Sequence, residues 1–227
     1  MAVLTWDQTG ERTYETGVDH GVLYVYDKSK KAYDNGVAWN GLTNVTMSPS
    51  GADASDFYAD NIKYLTLRGA ENFGATIEAY TYPDEFEVCD GSAPVGVAGI
   101  TLNQQPRSAF GFVCRTKVGD DTGSEDYKIH IIWNATASPS ERAYASVNDS
   151  PEPITFSWEI TTTSTPFSTF TQFQPVSHIT VDSRHFATEE LKAKLTALEE
   201  MLFGSASGQA TLPTPDVVLT TLGVTAA

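Results

Sequence analysis

A repeat of two residues constrains this chain more than any other feature. Ile154, Phe156, Trp158 and Ile160 alternate with Thr155, Ser157, Glu159 and Thr161. Successive side chains of a strand point to opposite faces, so this pattern gives one buried face and one wet face. Tyr127, Ile129, Ile131 and Trp133 alternate in the same way with Lys128, His130, Ile132 and Asn134. So do Phe110, Phe112 and Cys114 with Gly111, Val113 and Arg115, and Ala75, Ile77 and Ala79 with Thr76, Glu78 and Tyr80. Further strands are expected at 22–26, 37–47, 62–67 and 178–181, where Thr, Val, Ile, Tyr and Phe suit a pleated surface. The expected fold class is mainly β. Trp133 and Trp158 sit in apolar registers and read as core, whereas His130 is expected to face solvent or a neighbour.

Turn chemistry punctuates the strands. The run from Gly119 to Asp126 reads as a hairpin tip, because its Gly and Asp residues tolerate left-handed backbone angles. Tyr33-Asp34-Asn35-Gly36 is a second tight-turn signal, and Lys28, Lys30 and Lys31 read as another tip. One helix is expected over 188–203. Thr188 caps it, Glu189 and Glu190 suit its positive end, and Glu190 pairs with Lys194 one turn on. Leu191, Leu195, Leu198 and Leu202 form one apolar stripe, and Gly204 terminates the helix. The stripe is too short for a coiled coil and is expected to pack on the sheet.

Three stretches resist assignment to a compact core: the arm 1–19, the segment 48–56 and the stretch 205–227 with Pro213 and Pro215. Long irregular segments in a compact fold are usually functional or disordered. The organisation expected is a single domain over 1–204, with an N-terminal arm (1–19), a long loop (39–61) and the helix, then a C-terminal extension over 205–227. Neither an internal repeat nor a linker is visible.

With 227 residues the chain can bury a full core without disulfides or metals. Its net charge of −15 disfavours gripping nucleic acid or an anionic membrane, which requires clustered Lys and Arg. Residues 1–11 carry no basic, apolar leader pattern, and no segment approaches the ~20 apolar residues of a membrane span, so folding in a cytoplasm is expected. Cys89 and Cys114 lack zinc-type spacing and read as two buried reduced thiols, the alternative being a disulfide.

Catalytic signatures are missing: there is no G-x-S-x-G, P-loop, G-x-G-x-x-G or H-E-x-x-H. His178, Asp182 and His185 fit no common metal spacing. Asp120, Asp121, Glu125 and Asp126 lack the order of a calcium loop and read as a solvated turn. Glu78 and Glu159 are the only plausible glycosidase pair, and the favoured reading of them is as solvated sheet residues. Trp6 and Trp39 lie near the irregular arms, where a Trp either anchors in a partner's pocket or covers its own subunit's core. No catalytic residue, metal or cofactor is expected.

Several segments in order carry a resemblance. They are Trp6 to Arg12, Tyr14 to Asp19, Gly21 to Tyr24, Gly36 to Leu42, Tyr58 to Tyr64 and Gly74 to Phe86. Asn148-Asp149-Ser150-Pro151 and the strand Ile154 to Thr163 complete the set. Together they resemble the major tail protein, or tail tube protein, of long non-contractile-tailed bacteriophages, from about Trp6 to Phe203. The resemblance implies a β-sandwich with one flanking helix, and six-subunit rings stacked into a hollow tube in the virion. It implies a tube that houses a tape-measure protein, meets tail terminator and distal tail proteins, and conducts double-stranded DNA. Within it, Trp6, Tyr14, Trp39, Leu42, Tyr58 and Ile62 are candidate contacts between subunits. Glu78, Thr155, Glu159, Thr161 and Thr163, the polar register of two strands, are candidates for the lumen. The competing expectation is a jelly-roll carbohydrate-binding or glycosidase module of a phage tail tip.

Overall fold

The computed structural model describes residues 4–51, 53–96, 99–146 and 152–226. The segment Asn148 to Pro151, the first three residues of the arm and Ala52 lie outside the described residues. In chain order the strands are β1 (Tyr14–Asp27), β2 (Ala32–Tyr33), β3 (Val37–Trp39), β4 (Leu42–Met47), β5 (Ser50–Gly51), β6 (Ala54–Ala59), β7 (Ile62–Arg68) and β8 (Glu71–Asn72). Then follow β9 (Gly74–Ala79), β10 (Ala93–Pro94), β11 (Thr101–Leu102), β12 (Phe110–Gly119), β13 (Glu125–Ala137), β14 (Phe156–Thr162) and β15 (His178–Asp182). The α-helices are α1 (Glu87–Asp90), α2 (Glu189–Phe203) and α3 (Pro215–Thr221). The chain is mainly β, as its alternation predicts.

The main sheet is antiparallel and runs β2-β1-β12-β13-β14-β9-β4, with β15 also on β13 and β3 also on β1. Two bends fold this sheet over on itself. One is at Asn134 in β13, where φ is +49°. Before it, Lys128 to Ile132 pair with β15; after it, Ala135 to Ala137 pair with β14. A residue in the left-handed region kinks a strand and re-aims it. Tyr33 secures the kink: Asn134 N–H donates to Tyr33 Oη at 2.9 Å, and that hydroxyl donates to Asn134 Oδ1 at 2.8 Å. Asn134 Nδ2 donates in turn to Thr165 Oγ1 at 2.9 Å. The other bend is at Gly41 (φ +76°), between β3 on β1 and β4 on β9. The continuous strand expected over 37–47 is therefore broken at a corner.

Between the folded halves lies an aromatic core. The Trp39 ring meets Phe112 of β12 at 5.6 Å and Trp158 of β14 at 5.5 Å, edge to face in both cases. Phe86 packs on the same rings, with Ile77, Phe110 and Ile160 around it. Trp39 is therefore core, and its Nε1 donates to Thr81 O at 2.9 Å. That corrects its reading as a contact between subunits: the corner at Gly41 turns its ring inward. Cys89 and Cys114 are buried, unpaired thiols, and loss of water pushes both up to about 12.

The outer face of β1, β12 and β13 is covered by helices. Thr188 caps α2 by accepting from Leu191 N–H at 3.3 Å, and Leu195, Leu198 and Leu202 pack on Tyr24, Ile129, Ile131 and Trp133. The stretch after Gly204 differs from the extension expected. Leu212 and Val218 join this cluster, and Trp133 Nε1 donates to Pro213 O at 2.9 Å. Asp216, at the start of α3, accepts from the N–H groups of Ser168, Thr169 and Phe170, which holds its carboxyl below the usual range. Two helices, not one, flank the sheet over this face.

This packing predicts that Leu198→Ala lowers stability by about 2–5 kcal/mol, read as a shifted urea midpoint at unchanged slope. A chain stopped at Gly204 is expected to lose near-ultraviolet circular dichroism from Trp133 and to melt without a cooperative transition.

Candidate functional site

The expected loop 39–61 is one limb of a long β-ribbon. β4 leaves the body on β9, the ladder continues between β5 and β8, and β6 pairs with β7. Ser48 N–H donates to Gly74 O at 2.8 Å, so the limbs stay joined at the root. A two-residue turn closes the tip: Ala59 pairs with Ile62, and Asp60 and Asn61 carry φ of +51° and +62°. Positive φ at both central residues is the hairpin turn whose twist matches its strands, and Asp and Asn tolerate it. From Ala54 to Ala59 the limb spans roughly 17 Å at ~3.3 Å per residue.

Every residue of β6 and β7 is exposed. Phe57 pairs with Leu65 and shares a face with Leu67 and, past a register shift, with Ile62 opposite Ala59; Tyr58, opposite Lys63, lies on the other face. Tyr58, Ile62, Tyr64 and Leu67 are each more than half exposed, at 70%, 64%, 70% and 57%. An isolated two-stranded hairpin is marginal in water, and here both faces carry large exposed side chains with none of the other described residues covering them. Lys63 pairs with Asp56 at 2.7 Å, and Thr66 Oγ1 donates to the same carboxylate at 2.6 Å. These polar links hold the ribbon's own register and leave the apolar side chains free.

The N-terminal arm is shorter than the sequence suggests. Tyr14 to Asp19 already belong to β1, paired with β12 from Tyr14 opposite Gly119 onward. The free part, 4–13, touches the body where Gly10 N–H donates to Asp121 Oδ1 at 2.8 Å. Leu4 and Trp6 remain 73% and 72% exposed. Tyr14 is exposed too, but its ring lies over Gly119, where a Cβ would fall 2.6 Å from the hydroxyl. Leu42 is half-buried at the Gly41 corner, against Gly21. Of the contact candidates, then, Trp6, Tyr58 and Ile62 stand clear of the body.

The lumen candidates share a surface with neighbours that the sequence reading did not name. Register places Glu78 opposite Ser157 and Asn44, and Glu159 opposite Thr76. Thr76 is opposite Thr46, and Thr161 is opposite Thr136. Directly opposed residues share a face, so β4, β9 and β14 present one polar sheet face of Thr, Asn and Glu. Asn44 Nδ2 donates to Glu78 Oε2 at 3.2 Å. Thr155 and Thr163 flank β14 and are exposed. The groove beside Glu159 at the ribbon's root is not lined by Glu78. Among the described residues no cluster of three or more His, Cys, Asp or Glu is placed to hold a metal.

His130 is corrected. It is buried, not solvent-facing, because Thr116 of β12 and His178 and Thr180 of β15 cover the polar register of β13 there.

The ribbon's isolation from the core yields a prediction. Phe57→Ser with Leu67→Ser should change the unfolding free energy of the dilute protein, read from urea titration, by no more than about 0.5 kcal/mol, as for surface substitutions. A loss like that of Leu198→Ala would mean that the ribbon packs on the body.

No protein-family model matches the chain, and no curated protein matches it. Among solved structures the chain is similar to one from the anti-feeding prophage (AFP) baseplate, determined by cryo-electron microscopy with six-fold symmetrisation. There the identity is 6% and the TM-score 0.36, over 80% of this chain and 97% of that one. A second similarity is to a chain of the sheath–tube complex of an extracellular contractile injection system (PVC) in its extended state. There the identity is 15% and the TM-score 0.30, over 72% of this chain and 88% of that one.

Proposed function

We propose that this chain is a structural subunit that polymerises as stacked six-membered rings into the hollow tube of a long, non-contractile phage tail. One observation carries the reading: a β-ribbon with large exposed side chains on both faces stands clear of its own fold. Such a surface is costly in water and is buried when a second copy covers it. The exposed Trp6 and Leu4 of the arm add a second apolar anchor. The resemblance of several segments, in order, to tail tube proteins supports the same reading.

In this role the subunit is non-enzymatic and acts in the virion, after assembly in the host cytoplasm. Its partners are further copies of itself, a tape-measure protein inside the tube, and terminator and distal tail proteins at its ends. The polar face of β4, β9 and β14 lines the lumen. Duplex DNA carries one negative charge per ~1.7 Å of axis, so a basic lumen would bind it and stall its passage. A face of Thr, Asn and Glu offers DNA no counter-charge, and the net charge of −15 points the same way.

Negative-stain microscopy of the concentrated protein tests the reading. Rings or tubes are expected, and a strictly monomeric state with no filaments even beside tail proteins would overturn it. Deleting 53–68 or 4–12 should leave monomers or rings without tubes. Replacing Glu78 and Glu159 by Lys should permit assembly and slow DNA release; unchanged release kinetics would place the lumen on another face.

A further inference from the structure

A chain of polar side chains crosses four strands where the aromatic core ends. Lys128 Nζ donates to Glu15 Oε2 at 2.5 Å, and Thr116 Oγ1 donates to Glu15 Oε1 at 2.6 Å. With its proton committed to Glu15, the Thr116 oxygen accepts from His130 Nε2 at 3.0 Å. The neutral His130 ring therefore carries its proton on Nε2 and presents a lone pair at Nδ1. His178 Nε2 lies 3.3 Å from that Nδ1 and donates to its lone pair in the Nε2–H tautomer. The two rings are close to coplanar, 16° apart with centroids at 5.5 Å, so the N–H and the lone pair lie nearly on one line. Thr180 Oγ1 sits 3.3 Å from both nitrogens.

His178 also stacks on Phe73, with centroids 4.5 Å apart and planes at 23°. Phe73 joins β8 to β9, which is the root of the ribbon. Its carbonyl accepts from Thr162 Oγ1 at 2.7 Å. At Gly74 a Cβ would fall 3.1 Å from Ser48 O and 3.3 Å from Ile160 O, so the root packs at backbone distance. The stack on His178 is thus a side-chain hold on the ribbon from a strand outside it.

We propose that the His130–His178 pair is an acid-operated latch: neutral, it holds the His178 ring against Phe73 and fixes the ribbon's root, and on full protonation it lets the root go. The hydrogen bond requires one unprotonated nitrogen between the rings. A second proton puts N–H against N–H, and two like charges then share a site largely closed to water.

Loss of water holds His178 well below its ordinary value, at about 4, with the neighbouring His130 adding to the effect. Loss of water lowers His130 as well, while Glu15 opposes that shift and Lys128 reinforces it. The charged groups facing the pair are Glu15 of β1, Lys128 of β13 and the Asp182–Arg184 ion pair at the end of β15. β12 presents Thr116 and the ribbon root presents Phe73, neither of which titrates. The folded values lie below the unfolded value of about 6.5, so the unfolded chain binds more protons as acidity rises. The pair's contribution to stability is complete above about pH 6.5 and is lost as pH falls toward 4.

The latch lies within one subunit and does not depend on the tube reading. Its test uses the intact chain: proton NMR titration of the histidine ring protons, with amide hydrogen exchange from pH 7.5 to 4.5 corrected for intrinsic rates. One histidine should titrate well below 6.5, and protection over 71–76 should fall at least tenfold in the same interval while α2 keeps its protection. In His178→Phe, which keeps a stacked ring without a titrating nitrogen, protection at the root should stay flat with pH. Root protection independent of pH in the natural chain would overturn the proposal. So would a matching fall in the variant, or ordinary titration of both histidines. Should the variant fail to fold, the natural chain's two readouts decide the matter alone.

Discussion

The architecture depends on the double hydrogen bond between Tyr33 and the backbone and side chain of Asn134. A strand that pairs with β15 before Asn134 and with β14 after it must bend, and bending leaves backbone groups without ladder partners. Tyr33 supplies the missing acceptor for the Asn134 N–H, and Asn134 Oδ1 accepts the tyrosine hydroxyl in return. Because β13 bends there, β14, β9 and β4 fold over β12 and β1, and Trp39, Phe112 and Trp158 meet. Without that bend the sheet would stay open, and its aromatic face would have nothing to bury against.

Closure also divides the molecule into two regimes. Inside, rings interlock and each strand is covered on at least one face. Outside, the ribbon extends β4 and β9 beyond the body and carries large exposed side chains on both faces. The same two strands therefore serve the core at one end and an unburied surface at the other. Root residues, Phe73 and Gly74 above all, lie where these demands meet.

What the sequence made legible was local. Strict alternation located β9, β12, β13 and β14, and the capped leucine stripe located α2 to within a residue. Position relative to distant elements was not legible. Ser48-Pro49-Ser50-Gly51 has the composition of a loop, yet it opens one limb of the ribbon, because antiparallel pairing with 71–74 supplies the order that composition withholds. α3 spans seven residues between prolines and a glycine, too short for a periodic signal. Alternation assigned His130 to the polar register correctly and could not reveal that β15 covers it. Asn134 carries no mark of a bend when read as one more polar residue of a strand. Its positive φ is the kind of conformation that Asn adopts more readily than most residues, which in retrospect is the one available hint.

The bond from Trp133 to the Pro213 carbonyl has a bearing on how the chain is made. The two residues lie 80 positions apart. On the ribosome, β13 emerges and must wait for the chain that covers its outer face, while the ribbon is already outside the exit tunnel. A nascent subunit therefore passes through a period in which Trp133 and the ribbon are bare together. Slow translation between these points, or a chaperone bound over it, would decide how much of the product reaches a form fit to associate.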